Sequence, residues 1–246
     1  MFPLRAILLP WLLLVLAWGL LLGASLTGQL VWLDHDYLLK ESGLSWYLVL
    51  PVFLVAWLIM LGAMMFPVIL PILGNSFPDT LCLRMLWKRQ TGFLVGYSAS
   101  WTLFACIALV GDFGVHQLVE RWWWLYTHSW LILVCLLLLA GLYQLSTWKR
   151  RFLSGCCRFQ EVQGHSLRAG LSYGYVCVAS CWPLMLLLFA TGMQQLLVMG
   201  LFTVLMLCER ELQQRHLVCL VSGGVLLALA VGLGIYLGIY NALASV

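Results

Sequence analysis

Charge is what this chain is shortest of. Only 9% of its 246 residues are Asp, Glu, Lys or Arg, 63% are hydrophobic, and the mean hydropathy is +1.00. A soluble domain devotes roughly a quarter of its residues to charge. This chain cannot cover itself with polar side chains, which excludes a water-soluble globule and points to an integral membrane protein. Catalytic motifs are missing too. There is no phosphate-binding glycine loop, no nucleophile elbow, no His-Glu-x-x-His and no Cys-x-x-Cys, so hydrolase and ATPase chemistry have no footing and the chain reads as a non-enzyme. No linker or low-complexity run divides it, so residues 1–246 form a single transmembrane domain. The net charge of +4 does not make a nucleic-acid surface, because the basic residues are gathered between apolar runs.

Those runs are long and continuous, unlike the short alternating strands of an outer-membrane barrel. A bilayer core takes about 20 apolar residues per helix, and candidate spans lie near 6–32, 46–73, 93–111, 123–146, 169–190, 192–208 and 217–241. The first run exceeds a signal-peptide core of about 7–15 residues, so it is expected to be a retained span. Residues 169–208 contain no charged side chain and are too many for one helix. A turn is therefore expected near Thr191–Gln195, followed by a short sixth span. With the N-terminus cytoplasmic, every Lys and Arg except Lys40 and Arg121 falls on the inner side, while Asp34, Asp36, Glu41, Asp112 and Glu120 fall outside. The positive-inside rule thus favours an all-α, polytopic transmembrane helical bundle of about seven spans, with the lipid bilayer as its first partner.

The nine cysteines do not form a secreted disulfide scaffold, since most lie in apolar segments and none in the outer loops. Sulfur is instead arranged along helices. In "WLIMLGAMMFPVILP", Met60 and Met64 share a helical face, and Pro67 frees the carbonyl of Ala63. In "CVASCWPLM", Cys177, Cys181 and Met185 form an i, i+4, i+8 ladder, and Pro183 frees the carbonyl of Ala179. Inside lipid, a freed carbonyl must find another partner. Gly62–Ala63 and the Gly170–Gly174 pair permit close helix approach. Met199 and Met206, seven apart, share a face. Cys156 and Cys157 lie in a basic stretch at the cytoplasmic end. Thiolates and thioethers select Cu(I), so Met60, Met64, Cys177, Cys181, Met185, Met199, Cys156 and Cys157 are the candidate ligands and copper the candidate ion. Ordinary gap-filling by Met and Cys in an apolar core is the competing reading.

The other polar features weigh less. The loop with Asp34, His35, Asp36 and Glu41 suits a weak divalent site or simple solvation. Trp122, Trp123, Trp124 and Tyr126 read as an interfacial aromatic belt, and His128 beside them as a hydrogen-bonded interface residue. Glu209 reads as an ion-pair partner of Arg210 or Arg168.

Taken together, "WLIMLGAMMFPVILP" (57–71), "YQLSTWKRRFLSGCCR" (143–158), "CVASCWPLMLLLFATGM" (177–193) and "MGLFTVLMLCER" (199–210) resemble a bacterial family of integral membrane proteins described as predicted metal-binding. The resemblance covers roughly residues 50–215. It implies a polytopic helical fold in the bacterial inner (cytoplasmic) membrane. It marks Trp57, Met60, Ala63, Met64, Met65, Pro67, Pro71, Lys149, Cys156, Cys177, Cys181, Trp182, Met185, Gly192, Met193, Met199 and Glu209 as positions of the family pattern. This chain departs from that pattern at Thr147 (usually Pro), Phe152 and Ser180 (usually Cys) and Pro183 (usually a small residue). Two functions follow as expectations. One is binding or handling of a soft metal, Cu(I) first, by Met and Cys inside the bundle. The other is a non-catalytic accessory subunit packed against other membrane-protein subunits, which the departures at Phe152 and Ser180 favour. A secondary transporter ranks lower, because no charge lies deep in a span.

Overall fold

The computed structural model describes residues 4–34, 37–38, 43, 45–76, 83–158, 166–192, 194–212 and 214–244. Among these the regular structure is all helical: α1 (Leu4–Leu26), α2 (Trp46–Ser76), α3 (Leu83–Arg121), α4 (Trp123–Thr127), α5 (Trp130–Leu145), α6 (Thr147–Arg158), α7 (Ser166–Thr191), α8 (Leu196–Glu211) and α9 (Arg215–Ala244), with a 3-10 turn at Gln29–Leu33. Five helices are long and apolar enough to cross a membrane, or six if the bent pair α5–α6 counts as one. The loop residues His35, Asp36 and Glu41 lie outside the described residues.

Three expected segments differ in detail. The first helix stops at Leu26 rather than running to residue 32, because Gly28 takes a left-handed conformation with φ 70°. Such backbone suits glycine, which has no Cβ to clash. The third helix runs well past 93–111 at both ends. The fourth is interrupted after Thr127, where His128 leaves the helical conformation. Helix α8 has 16 residues, about 24 Å at 1.5 Å per residue, the short element expected there.

The closest seam joins α3 to α7, and glycine makes it. Gly92 and Gly96 on α3 face Ser166 and Leu167, while Gly170 and Gly174 on α7 face Phe93 and the Tyr97–Ser100 turn. A methyl group on Gly170 would strike the Phe93 carbonyl, and one on Gly174 would lie 2.8 Å from Ser100 Cβ. The two helices run parallel with their backbones nearly touching, and the Ser100 hydroxyl donates across the seam to the Leu171 carbonyl at 3.0 Å. Antiparallel α5 and α9 pack through Gly141, which meets Leu227, and Gly223, which meets Leu145. Gly62 lets α1 approach through Ala17.

Two of the carbonyls released by proline, those of Ala63 and Ala179, are satisfied by aromatic side chains of neighbouring helices. Trp18 Nε1 on α1 donates to Ala63 O on α2 at 3.0 Å. The Tyr143 hydroxyl on α5 donates to Ala179 O on α7. Trp18→Phe and Tyr143→Phe each leave a carbonyl unsatisfied and are expected to cost about 1–3 kcal/mol of stability, read as a lowered thermal midpoint in detergent. An unchanged midpoint in both variants would show that the carbonyls find other donors.

The outer surface stays apolar. Leu12, Val15 and Leu16 on α1, and Val225, Leu229 and Ile239 on α9, are all more than half exposed. Trp122, Trp123, Trp124 and Tyr126 form an exposed aromatic group. Beside it, His128 Nδ1 is hydrogen-bonded to Trp124 O and Thr127 Oγ1, both at 2.9 Å, and its ring stacks on Trp124. His128 is thus hydrogen-bonded, as expected.

Candidate metal site

The site begins with two serine-directed choices near residue 146. Ser146 ends α5 in an extended conformation with ψ 149°, and its side-chain oxygen accepts the Lys149 N–H at 3.2 Å. That is an N-cap, which satisfies one of the free donors of a helix start. The chain bends by 66° there, and α6 packs against α7. Helix α6 then buries Lys149, Leu153 and Cys156, an i, i+4, i+7 stripe. Its remaining face, with Trp148, Arg150 and Arg151, is exposed.

Helix α7 presents Cys177 and Cys181 to that stripe. Both are 5% exposed. Cys156, from that stripe, lines the same cavity wall as Cys177 and Cys181. The Cys177 thiol lies 3.4 Å from the Tyr97 hydroxyl on α3. Cys181 Sγ donates to the Cys177 carbonyl at 3.0 Å. Helices from four directions thus close a cavity of about 30 Å³ lined by Met65 and Val68 (α2), Leu153 and Cys156 (α6), Tyr173, Cys177, Ser180 and Cys181 (α7), and Met206, Glu209 and Arg210 (α8). A space of this size holds one water molecule or one ion.

Two buried cations, Arg210 and Lys149, flank the thiols. Arg210 Nη1 donates to the Tyr173 hydroxyl at 3.1 Å, and Arg210 lines the same cavity as Cys177. Lys149, wholly buried, pairs with Glu209 at 2.7 Å and donates to the Gln144 amide oxygen. Gln144 in turn donates to Glu209 at 2.6 Å and to Ser222 at 2.9 Å. Glu209 therefore pairs with Lys149, where the sequence pointed to Arg210 or Arg168.

The structure brings together Cys156, Cys177 and Cys181 from the expected set. Met60, Met64, Met185 and Met199 are buried in the same core, at 1% exposure or less, but do not line the cavity. Met65 and Met206 line it instead. Met65 is offset from the Met60–Met64 face by one helical position, and Met206 was legible through its shared face with Met199. The side chain of Cys157 lies outside the described residues. Of the departures from the family pattern, Ser180 is on the cavity wall, while Phe152 is off the buried stripe and packs on Trp148 with ring centroids 6.5 Å apart. Among the described residues, no group of three or more His, Cys, Asp or Glu side chains is arranged to hold a metal ion. The sulfur side chains that line the cavity, three thiols and two thioethers, are of the soft type that Cu(I) prefers to the donors of a hard cation.

No curated protein and no solved structure matches the chain. One family model, described as "PpoB2: Copper chaperone", matches residues 54–233, a stretch that includes α3 to α8 and every residue on the cavity wall. As that match spans well over half of the sequence, the chain belongs to the PpoB2 copper chaperone family.

Proposed function

We propose that this chain is a membrane-embedded, non-catalytic copper chaperone that carries Cu(I) in the cavity between α2, α6, α7 and α8. One observation carries the reading. The thiols of Cys156, Cys177 and Cys181 and the thioethers of Met65 and Met206 line a single ion-sized space. Cu(I) is soft and accepts few ligands, and the Cys177 and Cys181 thiolates are the pair it requires here, with Cys156 completing the set. The thiols lose their protons as they bind. Two thiolates around one Cu(I) leave a single negative charge, and Arg210 places a positive charge against it. Met60, Met64, Met185 and Met199 are not needed as ligands in this reading. Delivery proceeds by exchange, a sulfur of the acceptor replacing one sulfur of the site at a time.

The membrane part of the reading rests on the apolar exterior and on the direction of the helices. Helix α3 is parallel to α7, and α5 is antiparallel to α9. Helix α8 starts where α7 ends and returns to the end where Lys149 and Tyr173 lie. These directions support seven passes, with α8 as a short one. They also gather Arg84, Lys88, Arg89, Lys149, Arg150, Arg151, Arg168, Arg210 and Arg215 towards one end, which supports a cytoplasmic N-terminus in a bacterial inner membrane.

The test is elemental analysis of protein extracted into detergent without chelators and loaded anaerobically with Cu(I). About one copper per chain is expected, coordinated by sulfur in the X-ray absorption spectrum. Copper-free protein would overturn the reading. Copper-free protein that co-purifies with fixed partners would favour the accessory-subunit role.

A further inference from the structure

We propose that Lys149 is a positioning residue: its ion pair with Glu209 seats α6 against the bundle and thereby places Cys156 at the copper site. The inference rests on the copper reading above but adds a role that the ligand set does not contain. Three observations carry it. Lys149 and Cys156 belong to one buried stripe of α6, two turns apart, with Leu153 between them. Helix α6 is joined to α5 through a 66° bend at Ser146, so its direction is not inherited from a continuous helix. It must be set by contacts, and the Lys149 ammonium makes them in the first turn, to Glu209 on α8 at 2.7 Å and to Gln144 on α5. Gln144 extends the same network to Ser222 on α9, so the first turn of α6 is tied to three other helices.

Stability alone is a poor reason for such a pair. Lys149 has no exposure and Glu209 has 2%, and two charges withdrawn from water are often no better than an apolar pair of similar volume. What an apolar pair lacks is direction. Leucine or methionine at these positions would slide, whereas an ammonium shared between a carboxylate and an amide oxygen fixes both the rotation and the depth of α6. The residue whose position depends on that rotation is Cys156, on the third turn. Cys177 and Cys181 are held independently, because α7 is clamped by the glycine seam with α3.

The test compares the wild-type chain with Lys149→Met, the double variant K149M/E209L, which leaves no uncompensated charge, and Cys156→Ser. In apo protein, iodoacetamide labelling is read for each cysteine by peptide mass spectrometry. The double variant is expected to label Cys156 about tenfold faster, as its local opening becomes easier, with Cys177 and Cys181 unchanged. After Cu(I) loading, its X-ray absorption spectrum should lose one sulfur, as in Cys156→Ser. Wild-type protection of Cys156 in the double variant, or equal exposure of all three thiols, would overturn the proposal; the second result marks general loosening. Copper-free wild-type protein would overturn the copper reading, while the labelling result would still decide the role of Lys149.

Discussion

Cys177→Ser and Cys181→Ser are each expected to abolish stoichiometric Cu(I) binding while leaving the fold intact. Cys177 lines the cavity with Cys156 and Cys181, lies 3.4 Å from the Tyr97 hydroxyl and accepts the Cys181 thiol at its carbonyl. Serine is nearly isosteric, and at position 181 its hydroxyl can still donate to the Cys177 carbonyl as the thiol does. Packing and local hydrogen bonding therefore change little. The donor changes from soft sulfur to hard oxygen, which Cu(I) disfavours. Copper content should fall from about one per chain to background, with the thermal midpoint of the apo protein close to that of the wild type. Cys135→Ser is the control, because Cys135 is exposed and off the cavity. A Cys177→Ser protein that keeps its copper would place the site elsewhere.

Gly170→Ala is expected to be the most destabilising glycine-to-alanine change among the described residues. The new Cβ would fall on the Phe93 carbonyl, and Gly96→Ala would drive one into the Leu167 carbonyl. Both obstacles are backbone, which cannot rotate away as a side-chain tip can. Overpacking typically costs 1–3 kcal/mol, and a backbone clash belongs at about 3 kcal/mol or above. The seam also holds Tyr97 against Cys177, so copper affinity should fall with stability. Gly200→Ala is the matched control. Nothing lies within 4 Å of its Cβ position, and alanine in a helix interior is favoured by about 0.5–1 kcal/mol. Thermal unfolding of the variants in one detergent reads both effects. A Gly170→Ala protein as stable as Gly200→Ala would show that the two helices part freely.

The features legible in the sequence were those set by local chemistry. Apolar runs located the helices, because burial of backbone polar groups leaves no other local solution. Pro67 and Pro183 announced orphaned carbonyls, and the Gly170–Gly174 pair announced a close contact. What the sequence could not name was the partner in each case. Trp18 and Tyr143 look like ordinary apolar-face aromatics until the helices are assembled. The same limit explains the site. Cys177 and Cys181 were visible as a helical pair, but Met60 and Met65 compete for the cavity through a rotation of α2 of about 100° per residue, and only packing decides it. Lys149 sits in a basic run with Arg150 and Arg151, and nothing local says that one of the three turns inward. Gln144 was the available hint, a lone amide at the end of an apolar helix, and it proves to be the hub of the Lys149–Glu209 network.

The two aromatic donors to proline-freed carbonyls share one further property, their order along the chain. Trp18 precedes Ala63, and Tyr143 precedes Ala179. In the membrane setting proposed above, each of these proline-bearing helices would therefore emerge after the helix that carries its donor. An earlier-made indole or phenol would already be waiting when the unpaired carbonyl left water. With the order reversed, each carbonyl would face hydrocarbon alone until its partner was translated, at a cost of several kcal/mol. The placement of the prolines thus makes the order of biosynthesis agree with the order in which backbone groups need partners.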